Sequence, residues 1–282
     1  MAFSVNTNVG AMVALQNLTQ TQNDLMTTQN RINTGLKVAS AKDNAAVWAI
    51  AQNQRATSSS LNSVIDSLQR SQSTVDVALS AGNSVSDLLL QMKEKALAAA
   101  DTTLDTNSRS ALNSEFQSLR DQINKTVSNA VFNGGNMLSG ASTGGNATTV
   151  KALANADATS VITVAAQDLS LGGTALTANI GTTSTIGTVT TATNMIGFLN
   201  TAIANVSSAL GKLGTGDKAL ASHLTFIQNL QNTVDAGIGN LVDANLAQES
   251  ANLQALQTKQ QLGIQALAIA NQSSSILLGL FK

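Results

Sequence analysis

No cysteine occurs among the 282 residues, so neither a disulfide nor a thiolate site is available. Proline is absent as well. A proline inside a helix removes a hydrogen bond and clashes with the preceding turn, so a chain without any can run long unbroken helices. Aromatic residues are scarce, with one Trp, six Phe and no Tyr. A compact globular core normally uses large rings, which bury the most area per residue. Ala, Leu, Val and Ile point instead to thin helix packing with closely approaching backbones. Charged residues make up only 11% and the formal net charge is -1. That argues against nucleic acid as a main partner, because phosphate neutralisation needs clustered Lys and Arg. Arg31, Lys37 and Lys42 come nearest to a basic group, and a solvated helix face accounts for them. No run of about 18 apolar residues occurs, so no segment is expected to span a membrane. The start, Met1-Ala2-Phe3-Ser4, has no basic residue ahead of an apolar block and does not read as a cleavable secretory signal.

Catalytic constellations are missing too. The sole histidine, His223, lies among small and apolar residues and reads as a packing or surface residue rather than a general base. Asp101 and Asp105 are four apart in an expected turn, without the surroundings of a calcium loop. Asn133-Gly134-Gly135 lacks the Lys-Ser/Thr pair of a phosphate loop. Trp48 has no basic surround and reads as a packed helix position. No enzyme, cofactor or metal site is expected.

What the chain does contain is helical periodicity at both ends. Over residues 12–36, Leu15, Leu18, Leu25, Ile32 and Leu36 recur with Gln22 and Gln29 at the intervening layers. That is a heptad-like seam with polar interruptions, roughly 40 Å long at about 1.5 Å per residue. Gly35 should end it. The run Ser40-Ala41-Lys42-Asp43 has the form of a capping box ahead of a second helix. The seam of that helix is Leu61, Ile65, Leu68, Val75, Leu79, Gly82, Leu89 and Ala96, flanked by Val85 and Met92. After a turn at 101–106, a third helix carries Leu112, Phe116, Leu119, Ile123 and Val127 and ends near Phe132-Asn133-Gly134-Gly135, where Asn-Gly supplies a tight turn.

From 139 to 193 the composition turns to Ser, Thr, Gly, Ala and Asn, with β-like runs at 148–153, 161–165 and 185–190. Helical spacing then returns from Ile196 through Leu213 to Leu241, with Gly214 and Gly216 as a candidate kink, and continues through Leu246, Leu253, Leu256, Leu267 and Leu278. The expected order is three helices, a small β insert and one very long helical stretch. The fold class is mainly α: a long helical coiled-coil rod with paired N- and C-terminal helices and a small β-rich outer insert. Nothing near the C-terminal segment in sequence can cover its apolar residues. The two ends should therefore pair, and the outward faces of the pair should pack against other copies of the chain.

The ends also resemble a known family. Asn6-Thr7-Asn8, Arg31-Ile32-Asn33-Thr34-Gly35-Leu36, Ser40-Ala41-Lys42-Asp43-Asn44-Ala45-Ala46 and Phe132-Asn133-Gly134 are similar to the N-terminal pattern of bacterial flagellins. Asp243-Ala244-Asn245, Gln260-Gln261-Leu262-Gly263 and Leu267-Ala268-Ile269-Ala270-Asn271-Gln272 resemble their C-terminal signature. The likeness spans about 1–138 and 194–282.

The resemblance implies a structural subunit that polymerises into the flagellar filament for swimming motility, outside the cell, with no enzymatic activity. It implies uncleaved export through the flagellar type III apparatus. The implied partners are the chain itself and possibly other flagellins, an export chaperone, the filament cap and hook-junction proteins; no nucleic acid or membrane is among them. Three regions follow: an inner coiled-coil domain (1–38 and 242–282), a helical-bundle domain (39–138 and 194–241) and a short outward insert (139–193). The assembly interface is expected at Leu15, Leu18, Leu25, Ile32, Leu36, Leu246, Leu253, Leu256, Leu267 and Leu278. A flagellin-like hook–filament junction protein is the alternative. Departures from the pattern are Val47-Trp48 after the Ala-Ala pair and Ser273-Ser274-Ser275 where the family usually has Pro. A patch read in many flagellins by toll-like receptor five aligns with Gln91, Met92, Lys93, Glu94 and Lys95 and lacks both of its arginines. Recognition by that receptor is expected to be weak or absent.

Overall fold

The computed structural model describes residues 7–140, 148–176 and 179–279, with 273–279 as backbone only. The described residues form helices α1 (Val9–Thr34), α2 (Ala45–Ala99), α3 (Thr106–Asn129), α4 (Val189–Val242) and α5 (Leu246–Gly279). Four short strands accompany them: β1 (Val131–Phe132), β2 (Gly135–Asn136), β3 (Val150–Leu153) and β4 (Val161–Val164). The chain divides into two compact units, one of Met1–Ser58 with Asn232–Lys282 and one of Ser59–Gln231.

In the unit Ser59–Gln231 the core follows a seven-residue rhythm. Leu61, Leu68, Val75, Leu89 and Ala96 of α2 are fully buried, with Val64, Ala78, Val85 and Met92 as the companion row. Leu199, Val206, Leu213, Leu220 and Ile227 of α4 repeat at the same interval in the same core. Both are the seams that a coiled coil requires. Phe116, Ile123 and Val127 of α3 close the core. Gly82 occupies a layer position in α2. A Cβ there would lie 2.5 Å from Leu210 Cδ2, so the missing side chain makes room for Leu210. Ile65 and Leu79, expected in the seam, are only half-buried; Val64 and Ala78 take those layers.

α3 is capped by Asp105, whose carboxylate accepts from the backbone N–H groups of Asn107 (2.8 Å) and Ser108 (3.0 Å) and from the Ser108 hydroxyl (2.6 Å). The Ser108 hydrogen bonds hold this carboxyl below the usual range. Asp43 is lowered likewise, chiefly by the Ser40 backbone N–H. A carboxyl with a depressed folded pKa adds stability above its unfolded value, about 3.9, and loses it as the pH falls through the folded value. The melting temperature of the chain should therefore drop on acidification below about pH 4. Asp105→Asn should remove part of that drop, since Asn caps a helix without titrating; far-UV circular dichroism across the pH series checks this.

β1 and β2 form a two-residue hairpin, pairing Phe132 with Gly135. Asn133 (φ 48°) and Gly134 (φ 79°) both sit in the left-handed region. That is the requirement of a type I′ turn, and Asn-Gly is the pair that meets it most readily. β3 and β4 pair antiparallel from Val150↔Val164 to Leu153↔Val161. This hairpin lies against α4 at Gly216, where a Cβ would come within 2.6 Å of Val164 Cγ1. Gly216 thus serves a close approach, and α4 runs through Gly214 and Gly216 as unbroken helix.

Two expectations are corrected. The run 185–190 forms no strand, because α4 already begins at Val189. Thr188 and Thr191 exchange backbone-to-hydroxyl bonds (3.0 and 3.2 Å) that cap the helix start. The C-terminal stretch is not one helix but two, broken at 243–245.

Candidate functional site

The unit built from both chain ends holds the candidate site. α1 and α5 lie antiparallel. Asn8 Nδ2 donates to Ala270 O (2.7 Å), Leu18 Cδ1 would stand 3.3 Å from a Cβ on Gly263, and Arg31 Nη1 meets Glu249 Oε1 at 3.1 Å. Asn8 works at both ends of its side chain, since its Oδ1 also caps α1 at Ala11 N (3.0 Å). The facing positions of α5 are Glu249, Leu253, Leu256, Gln260, Gly263, Leu267 and Ala270, in alternating steps of four and three. Those of α1 are Ala14, Leu18, Thr21, Leu25, Thr28 and Ile32. Large residues meet small ones, Leu18 against Gly263, which lets the backbones approach.

The polar layers of α1 are therefore Thr21 (8% exposed) and Thr28 (6%), not Gln22 and Gln29, which face solvent. The hydroxyl of Thr21 donates back to Asn17 O (2.8 Å), so burying it leaves no unmet donor. A one-residue shift of the seam was open from sequence because Leu18, Leu25 and Ile32 fit both registers.

Beyond the pair, the two chain segments turn side by side. Gly35 (φ 71°) ends α1 in the left-handed conformation, its N–H bonded to Arg31 O. Leu36 then bridges Asp243 in antiparallel register. Lys37 N donates to Val242 O (2.7 Å) and Ala244 N to Gly35 O (2.8 Å). The expected capping box at 40–43 is not a helix cap. Asp43 instead closes a turn, accepting from Ala39 N and Ser40 N at 3.0 and 2.9 Å. Asn44 caps α2 through Val47 N (3.1 Å), and Asn245 caps α5 through Gln248 N (3.3 Å). A small cluster of Val38, Ala51, Ile238 and Val242 is buried here, with Trp48 packed on it.

Much of the apolar surface on α1 and α5 stays open. Val9, Met12, Val13, Leu15 and Met26 of α1 and Leu246, Leu262, Ile264 and Ile269 of α5 are all exposed. Of the residues expected at the assembly interface, Leu15 and Leu246 are on this open surface. Leu18, Leu25, Ile32, Leu36, Leu253, Leu256 and Leu267 are half-buried. The side chain of Leu278 lies outside the described residues, as do Asn6, Leu280 and Phe281. The exposed residues Met12, Val13, Ile264 and Ile269 were missed because a two-helix seam does not select them; their signal was simply large apolar side chains off the seam.

Polar side chains of the other unit hold local structure. His223 Nε2 donates to Ala154 O (2.8 Å) and its ring packs near Phe226, which clips the hairpin loop to α4. Asp101 accepts from Thr103 N (2.8 Å) within its turn. Arg109 holds the same turn by donating to Ala99 O, Asp101 O and Leu104 O. Among the described residues no group of three or more His, Cys, Asp or Glu could hold a metal ion, and no helix is long and apolar enough to cross a membrane.

Family models of the bacterial flagellin N-terminal and C-terminal helical regions match residues 5–143 and 196–281. The chain belongs to the bacterial flagellin family. It is 57% identical over 279 residues to flagellin FljK of Caulobacter vibrioides, covering 99% of this chain and 98% of that one. It is 36% identical to a flagellin of Brucella melitensis, covering 99% of both. A solved protein described as flagellar hook-associated, from Vibrio parahaemolyticus, shares the fold alone, with a TM-score of 0.58 and 18% identity over 71% of this chain and 100% of that one. Flagellin likeness over the full length places this flagellin as a structural subunit of the extracellular flagellar filament. It serves motility by polymerising, not by catalysis.

Proposed function

We propose that the outward faces of α1 and α5 are the surface through which copies of this flagellin join. The observation that carries this reading is the set of large exposed side chains on that pair, among them Val9, Met12 and Ile269 at 65%, 62% and 68% exposed. Large apolar patches left open to water mark interaction surfaces. In the filament, Leu15, Leu18, Leu25, Ile32, Leu36, Leu246, Leu253, Leu256, Leu267 and Leu278 would belong to the inner coiled-coil layer of 1–38 and 242–282. The surrounding helical layer would be 39–138 and 194–241, with 139–193 facing outward. Negative-stain electron microscopy of the purified chain, with and without short filament seeds, tests the reading. Long uniform filaments are expected; none even with seeds would overturn it.

Export without cleavage by the type III apparatus, a chaperone on the C-terminal helix, addition beneath the cap and attachment through hook-junction proteins complete the proposal, supported by the family resemblance. Recognition by toll-like receptor five is proposed to be weak. Both arginines of the patch are absent, Met92 is fully buried, and Lys95 is engaged by Glu115 at 2.8 Å, leaving Gln91, Lys93 and Glu94 as its other members. A point charge on a flexible stem does not replace a planar bidentate guanidinium. A receptor reporter assay should give little signal, and a strong response at nanomolar protein would contradict this.

A further inference from the structure

We propose that Met12 and Met26 form an oxidation switch on α1: hydrogen peroxide converts their thioethers to sulfoxides, which withdraws the subunit from polymerisation, and reduction of the sulfoxides returns it. This rests on the assembly reading above, since it needs the outward face of α1 to be buried between copies. The methionines divide sharply by exposure. Of the six in the chain, Met92, Met137 and Met195 are 0%, 1% and 5% exposed in the core of the unit Ser59–Gln231, and Met1 lies outside the described residues. Met12 and Met26 stand 62% and 55% exposed. Two heptads separate them, so both side chains lie along one face of α1, with the exposed Thr19 midway between. The chain has no cysteine to compete for the oxidant, so thioethers are its only sulfur nucleophiles.

A sulfur lone pair attacks one oxygen of the peroxide. The S–O bond forms as the O–O bond breaks, and the second oxygen leaves as hydroxide and is protonated to water. The thioether loses two electrons and the peroxide gains them. A flexible apolar side chain thereby becomes a polar, chiral one. On an open face the new oxygen is solvated, and the free subunit keeps its fold. Between copies the oxygen loses that water, and burying a polar group without a partner opposes association. The three core methionines are shielded from the oxidant, so the unit Ser59–Gln231 is left intact.

Hydrogen peroxide treatment of the full chain tests this, with peptide mass spectrometry reading each methionine and sedimentation reading the critical concentration for polymerisation. Met12 and Met26 should gain oxygen before Met92, Met137 and Met195. The critical concentration should rise at least about tenfold in step with that gain. Methionine sulfoxide reductases should bring it back. Met12→Leu combined with Met26→Leu keeps the volume and removes the sulfur. Measured against its own untreated form, that variant should show no such rise. Complete oxidation of both methionines without a rise, a rise that the reductases do not reverse, or an equal rise in the Leu variant would each overturn the switch and leave the assembly reading standing. Filaments formed before treatment should gain oxygen at Met12 and Met26 more slowly than free chains. Equal rates, or failure of the untreated chain to extend its own seeds, would overturn the assembly reading, and the switch with it.

Discussion

Met12→Glu combined with Ile269→Glu should stop filament growth while leaving the monomer folded. Both side chains are mostly exposed within the chain, and exposed substitutions away from special features usually change stability by less than about 0.5 kcal/mol. Burying them between copies changes the balance. A carboxylate taken out of water without a partner costs several kcal/mol, about 3 even after relaxation. Each 1.4 kcal/mol is tenfold in an equilibrium constant, so one such charge should raise the critical concentration for polymerisation at least about a hundredfold. Two of them should leave no filaments at accessible concentrations. Monomer helicity by circular dichroism and filament yield by sedimentation separate the two effects. Thr163→Glu, at an exposed position of β4 in the insert proposed to face outward, is the control and should polymerise. Normal growth of the double variant would place the subunit contacts elsewhere.

Phe116→Ala should destabilise the unit Ser59–Gln231 by about 3–5 kcal/mol, the usual range for deleting a buried ring. Phe116 is fully buried, and it is the largest fully buried side chain among the described residues. No other aromatic side chain is fully buried in its cluster among the described residues. Helix backbones that already pack as coiled-coil layers cannot close inward to fill a ring-sized void, so the cavity cost should be felt in full. Urea denaturation followed at 222 nm, the usual helix band, reads the shift in midpoint. A change below about 1 kcal/mol would mean that α3 can slide to fill the space.

Much of this architecture was legible because its rhythm is simple. The row Leu61, Leu68, Val75, Gly82, Leu89 and Ala96 repeats every seventh residue and emerged as expected in the core. The Asn133-Gly134 turn was legible for a local reason, since few other pairs accept two positive φ values. Three features escaped because local signals competed. The Thr-rich run at 185–190 has the β-branched look of a strand, but Thr188 and Thr191 bond each other's backbone and start a helix. At 243–245 no proline or glycine marks the break; Asn245, a good cap, was the only cue. At 40–43 the box pattern was real, but Asn44, one residue on, caps the helix. The assembly surface was legible in kind and not in detail. Seam residues can be found from periodicity, whereas the residues left over for a neighbouring copy become visible only once the pair is formed.

The paired turns beneath α1 and α5 carry one more consequence. Lys37, Val242, Gly35 and Ala244 join there through main-chain N–H and C=O groups, and Leu36 and Asp243 meet as a β-bridge. Main-chain bonds are indifferent to side-chain identity. Substitution can therefore drift at Lys37, Ala39, Asp243 and Ala244 without unfastening the joint, while Val38 and Val242 are also held by their buried cluster. Gly35 is the exception, because its φ of 71° is one that residues bearing a Cβ rarely adopt. A library saturating these positions should return a broad mixture at 37, 39, 243 and 244, apolar residues at the buried Val38 and Val242, and glycine at 35.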